Sequence, residues 1–96
     1  MKIALDFDDT YTRDPDMWDG FIDSCKMRGH DIRIVTFRKS TMTHPALDYL
    51  SQKIPVIDTE YQQKRDFCNK HGFFVDVWIE DSPEFIVNPT LIIGEK

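Results

Sequence analysis

A short apolar stretch near the start of the chain, Ile3-Ala4-Leu5, runs directly into Asp6-Phe7-Asp8-Asp9-Thr10. Three carboxylates and a hydroxyl thus follow a stretch with the makings of a buried strand. An unpaired carboxylate is expensive to desolvate, so a buried strand end tolerates this density of charge only beside a counter-charge. A divalent cation is the obvious one. Asp6 and Asp8 are two residues apart, and in extended backbone both side chains point to the same side. The pattern predicts a central strand over Ile3–Phe7 whose end forms half of a metal site.

Strand and helix signals alternate from there on. Asp14-Pro15 supplies an N-cap and a first-turn proline. Trp18, Phe21, Ile22 and Cys25 follow at the spacing of an amphipathic helix, with Gly29 as its C′ residue. Ile32–Phe37 reads as a second strand, and Pro45 opens a short helix carrying Ala46, Leu47 and Leu50. Pro55–Ile57 is a brief third strand. Thr59 is expected to cap a third helix that runs to about His71, with Glu60 in its first turn and Gly72 as its stop. Phe73–Ile79 reads as a fourth strand ending at Glu80-Asp81, and Thr90–Ile93 as a short fifth. Strands separated by helices are βαβ units. The expected architecture is a three-layer α/β/α sandwich with a small parallel, Rossmann-like sheet and no large cap.

At 96 residues the chain is expected to form a single domain, residues 1–96, with a thin core. The formal charge is −5 and the 12 basic residues are scattered, so bulk binding to a nucleic-acid backbone is not expected. The two cysteines, Cys25 and Cys68, fall in predicted helices and read as buried thiols of a reducing compartment. The apolar run stops at Asp6, too soon for a signal peptide or a membrane span. A cytoplasmic protein with no membrane role is the expectation.

In open parallel sheets, ligands gather at the C-terminal ends of the strands. The polar groups at those ends are Asp6-Asp8-Thr10, Thr36 and Glu80-Asp81, and Lys64 lies on the helix that enters the last of these strands. With these residues in this order the chain resembles the haloacid-dehalogenase-like (HAD) phosphohydrolases. Leu5-Asp6-Phe7-Asp8-Asp9-Thr10 matches the first family motif and Ile34-Val35-Thr36 the second. Lys64 in Gln62-Gln63-Lys64-Arg65-Asp66 is the best match to the family lysine. Val77-Trp78-Ile79-Glu80-Asp81-Ser82 matches the last, acidic motif.

The resemblance implies a Mg²⁺-dependent phosphomonoester hydrolase that works through an aspartyl-phosphate. Asp6 would be the nucleophile and a metal ligand. Asp8 would bind metal through its backbone carbonyl and act as acid and base through its side chain. Asp81, with Glu80 directly or through water, would complete the metal site. Thr36 and the backbone N–H of Phe37 would hold phosphoryl oxygens, with Thr10 on the substrate side, and Lys64 would balance charge. Arg38, just past Thr36, could reach a substrate phosphate or sugar by its position alone. Mg²⁺ suits such an all-oxygen site.

Each residue also has an ordinary alternative. Asp6-Asp8 could be a solvated strand end, Thr10 a turn former and Thr36 a β-branched strand residue. Glu80-Asp81 before Ser82-Pro83 could be a turn, Arg38 a surface residue, and Phe37 and Trp78 core. Asp9 is expected to be solvated. His30, His44 and His71 lack zinc spacing, and Lys53 and Lys70 rival Lys64. Only 30 positions separate Asp6 from Thr36 and 28 separate Thr36 from Lys64, which leaves no room for a cap. An open site would admit a phosphorylated small molecule, a nucleotide, or the terminal phosphate of a larger substrate. A homo-oligomeric neighbour covering the pocket would favour the small ones. Two readings compete: a non-catalytic phosphate- or metal-binding module of the same fold, and a receiver domain with Asp58 as its acceptor.

Overall fold

The computed structural model describes residues 1–87. Strand β1 (Lys2–Leu5) sits between β2 (Asp31–Thr36) and β4 (Val77–Ile79), and β3 (Val56–Asp58) lies on the outer side of β2. All pairings are parallel, with Leu5 opposite both Ile34 and Ile79, and Thr36 opposite Asp58. The near-continuous apolar character of β1 follows from its central place, covered on both faces. The predicted boundaries Ile3–Phe7, Ile32–Phe37 and Pro55–Ile57 shift by one or two residues in the structure. The expected strand Thr90–Ile93 lies outside the described residues.

Helices α1 (Pro15–Met27) and α2 (Pro45–Ser51) cover one face, where Ile3, Leu5, Ile32 and Ile34 pack with Ile22, Cys25, Leu47 and Leu50. Helix α3 (Lys64–Lys70) covers the other through Cys68, against Ala4, Val35 and Phe73. Right-handed crossovers demand this division. The chain steps from β1 to β2 to β3 in one direction and returns across β1 to β4, so the last helix must lie on the opposite face. The result is a small α/β sandwich built on a four-stranded parallel sheet. Both cysteines are buried free thiols, one in each core. Among the described residues no helix is long and apolar enough to cross a membrane.

The start of α1 follows its sequence signals: the Asp14 carboxylate accepts from the Met17 N–H at 3.3 Å and Pro15 is the first helical residue. Gly29 and Gly72, at φ 80° and 78°, end α1 and α3 in the left-handed conformation that glycine adopts without cost.

Two expectations are corrected. The third helix begins at Lys64, not after Thr59. The Thr59 hydroxyl donates to the Gln62 carbonyl at 2.8 Å and caps no helix, while Glu60 and Tyr61 take left-handed backbone at φ 54° and 60°. Glu60 instead ties this turn to the loop after β2: its N–H donates to the Arg38 carbonyl at 2.8 Å and its carboxylate accepts from the Ser40 N–H at 2.9 Å. The fourth strand covers Val77–Ile79 alone. Val77 pairs with Ile3 and β1 starts at Lys2, so Phe73 to Val75 have no strand alongside them. Phe73 is buried there, under the Arg33 guanidinium at 4.2 Å.

Candidate metal centre

The reversal of strand order opens a crevice between β1 and β4, the place where an open parallel sheet presents ligands. Asp6 follows β1, and Glu80 and Asp81 follow β4. The Asp6 N–H donates to the Ile79 carbonyl at 2.9 Å, so the two strand ends are fastened side by side. Asp6 has the parity of Ala4 in β1 and thus faces the layer of α3. Lys64, the first residue of α3, reaches it from there: Nζ lies 2.7 Å from Asp6 Oδ1 and also contacts Glu80 Oε1. All three side chains are buried, at 1% exposure for Lys64, 6% for Asp6 and 3% for Glu80. The rivals lie elsewhere. Lys53 pairs with Asp23 at 2.9 Å, and Lys70 is exposed in the last turn of α3.

Carboxylate oxygens of Asp6, Glu80 and Asp81 all lie within 4.8 Å of one another, a cluster capable of holding a metal ion. Oxygen donors of this kind suit a hard divalent cation. The electrostatics of the cluster fit such an ion. Burial pushes the Asp6 carboxyl up to about 8 against the pull of the Lys64 ammonium, and its hydrogen bond with Asp81 reinforces the rise. That same hydrogen bond holds Asp81 below the ordinary carboxylate range. The opposite shifts of Asp6 and Asp81 are what crowded carboxylates show, and a cation between them would relieve the crowding.

Thr10, expected at the substrate, lies between these acids. Its hydroxyl is 3.0 Å from Asp6 Oδ2 and 3.3 Å from Asp81 Oδ1, one hydrogen shared between two acceptors. The turn that brings it there places Asp9 at φ 61°, a conformation aspartate tolerates. Asp9 is exposed, as expected, and its N–H donates to the Thr12 hydroxyl at 3.0 Å.

A cleft of about 170 Å³ opens above the cluster, lined by Asp6, Asp8, Asp9, Glu80 and Asp81 and walled by Phe37, Ser82 and Phe85. Five carboxylates meet in this small space, which concentrates negative charge where a cation could sit. Phe37 stacks on Phe85 at 4.6 Å, so the aromatic expected as core or flank forms a wall of the cleft. Phe85 is a feature sequence reasoning missed. It lies in a 3₁₀ turn, Pro83–Phe85, where no periodicity marks a residue as functional. Arg38 is also close, with its guanidinium in a two-point hydrogen bond to the Asp8 carboxylate at 2.9 and 3.0 Å.

Thr36 stands apart. It is fully buried at the end of β2 and does not line the cleft. Among the described residues its hydroxyl is the buried side-chain polar atom left without a partner. An orphaned group of this kind costs about 1–3 kcal/mol. Asp58 ends the edge strand β3 and borders a different hollow with His44 and Asp48, whereas a receiver's acceptor would end a middle strand. No family model, curated protein or solved structure matches the chain.

Proposed function

We propose that this chain is a Mg²⁺-dependent phosphomonoester hydrolase of the HAD-like type, acting through an aspartyl-phosphate on Asp6. The observation that carries the reading is Lys64 on Asp6 within the acidic cluster. A site that only stores a cation loses affinity by placing an ammonium 2.7 Å from one of its ligands. A site that must also admit a phosphate dianion gains from it, because five carboxylates alone would repel the substrate.

Asp6, Asp81, the Asp8 backbone carbonyl and Glu80, directly or through water, would hold Mg²⁺. The ion would neutralise the phosphoryl oxygens so that a carboxylate can attack phosphorus. Asp6 forms the new O–P bond as the bond from phosphorus to the leaving oxygen breaks, and Asp8 gives that oxygen its proton. Asp8 then takes a proton from the water that attacks phosphorus, and the Asp6–phosphorus bond breaks to release phosphate and restore the carboxylate. Lys64 offsets the charge on Asp6 throughout. Thr10 holds Asp6 and Asp81 in place. The small cleft takes the phosphoryl group and leaves the rest of the substrate outside. This suits a phosphorylated small molecule, a nucleotide, or the end of a larger molecule.

The acidic cluster by itself supports a narrower reading, a metal- or phosphate-binding module without catalysis. The pairing of Asp8 with Arg38 favours it, since both oxygens of the expected proton carrier are engaged. Phosphate release from a panel of phosphomonoesters, with and without Mg²⁺ and with Asp6→Asn, separates the two. Mg²⁺-dependent turnover abolished by Asp6→Asn is the expected result; calorimetric Mg²⁺ binding with no turnover across the panel selects the module.

A further inference from the structure

Asp8 lines the cleft, yet the Arg38 guanidinium holds both of its oxygens. Nε lies 3.0 Å from Oδ2 and Nη2 2.9 Å from Oδ1. The carboxylate cannot turn toward a leaving group or a water without breaking this fork. The arginine is the better anchored partner. Its side chain is 16% exposed against 52% for Asp8, and its guanidinium sits 5.5 Å from the centre of the Phe7 ring. Its backbone carbonyl accepts from the Glu60 N–H at 2.8 Å, which pins the loop that carries it.

Such a pair is readily exchanged. A half-exposed ion pair contributes little stability, and the planar fork of arginine fits any carboxylate or phosphate equally well. Lys64 is not exchangeable in this way, being buried between Asp6 and Glu80. Among the described residues, Arg38 is the other basic side chain hydrogen-bonded to a carboxylate of the cleft, and its partner faces solvent.

We propose that Arg38 determines specificity by exchanging Asp8 for a second anionic group on the substrate, and that this exchange releases Asp8 for proton transfer. The proposal rests on the phosphomonoesterase reading and narrows it. The substrates are phosphomonoesters whose leaving group carries a carboxylate or a further phosphate close to the scissile phosphoryl. A plain monoester leaves Arg38 on Asp8 and is turned over with the proton carrier latched. The second anion thus acts twice, as an anchor and as a release.

Non-hydrolysable phosphonates test the anchor without turnover. Calorimetry in the presence of Mg²⁺ compares ethylphosphonate with phosphonoacetate, which adds a carboxylate, and with methylenebisphosphonate, which adds a phosphoryl group. At least one of the doubly charged ligands is expected to bind about tenfold tighter than ethylphosphonate, the weight of one charged hydrogen-bonded pair. Arg38→Gln erases that preference and Arg38→Lys keeps part of it. The arm that responds names the second anion. No preference in the unmutated chain, or the same preference after Arg38→Gln, overturns the proposal.

The release is read in steady-state kinetics. Arg38→Gln raises kcat several-fold on a plain alkyl phosphate and lowers kcat/KM at least tenfold on a phosphorylated hydroxy acid. A purely structural arginine lowers both, which also overturns it. The two readings fail separately. An inactive chain that keeps the Arg38-dependent preference loses the phosphatase and retains the anchor, whereas an active chain without the preference does the reverse.

Discussion

The cleft is held by two ion pairs of similar length and opposite character. On the α3 side Lys64 is buried between Asp6 and Glu80; on the rim Arg38 holds an exposed Asp8. Both join a basic side chain to a carboxylate that the proposed chemistry uses. The difference is solvent. The inner charges have lost their water and depend on one another, so removing Lys64 leaves two carboxylates uncompensated in the interior, whereas removing Asp6 leaves Lys64 paired with Glu80. On the rim Asp8 keeps much of its hydration, so it can leave Arg38 and the pair can change partners. The inner pair therefore fixes geometry, and the outer pair can respond to a ligand.

The largest expected effect breaks the inner pair. Lys64→Met leaves Asp6 and Glu80 facing each other without a cation and should destabilise the metal-free protein by about 3–5 kcal/mol. Urea denaturation with an unchanged m-value is the measure. A loss below about 1 kcal/mol would place Lys64 in the same class as the exposed pairs and remove the contrast.

Next in size is the linkage of stability to the cation. At a free Mg²⁺ concentration a hundred times the dissociation constant, the folded protein gains about 2.7 kcal/mol. In Asp6→Asn that gain should disappear, while metal-free stability holds or rises because one of the crowded carboxylates is gone. Thermal unfolding with and without Mg²⁺ reads both quantities. A Mg²⁺ gain that survives Asp6→Asn moves the cation away from the inner cluster.

Asp6, Glu80 and Asp81 are legible in the sequence because desolvation makes charge at the end of an apolar run informative, whereas Lys64 is legible from the family resemblance and its place on a helix. Parallel βαβ order brings such ends to one edge whatever the details of packing. Thr36 stands out in the sequence only by its position at a strand end, and its burial outside the cleft is not legible there. The turn at Thr59–Gln63 carries two local signals of a helix start, Thr59 as a cap and Glu60 in the first turn, without forming one. Long-range hydrogen bonds override those signals, from the Glu60 N–H to the Arg38 carbonyl and from the Ser40 N–H to the Glu60 carboxylate. The fork between Arg38 and Asp8 joins residues 30 positions apart, and no spacing rule reaches that far. Phe85 entered the wall of the cleft from a turn, where pattern has nothing to say.

A smaller effect sharpens the outer half of the comparison. In a double-mutant cycle of Asp8→Ala and Arg38→Ala, the coupling in stability should stay at or below about 1 kcal/mol. Urea denaturation of the four proteins gives the value. Coupling of about 3 kcal/mol or more would show that the rim pair is as fixed as the inner one, and too costly to exchange for a substrate anion.

The smallest effect concerns a third ion pair, far from the cleft at the opposite end of the sheet. Arg33 donates to both oxygens of Asp31 at 2.9 and 3.0 Å, the same fork as on the rim, with 40% of the Asp31 side chain exposed. The hydrogen bonds from Arg33 hold the Asp31 carboxyl below its ordinary value of 3.8. The native state therefore takes up this proton less readily than the unfolded chain. The contribution of the pair is fully present above the unfolded value and is lost as pH falls through the lower native one. Asp31→Asn should thus cost about 0.2–1 kcal/mol at neutral pH and progressively less as pH falls below 3.8. Urea midpoints of the two proteins across that range measure the convergence. If the cost does not shrink with acid, Asp31 acts through packing beside Arg33 and Phe73, and the two-point fork alone is no mark of an exchangeable pair.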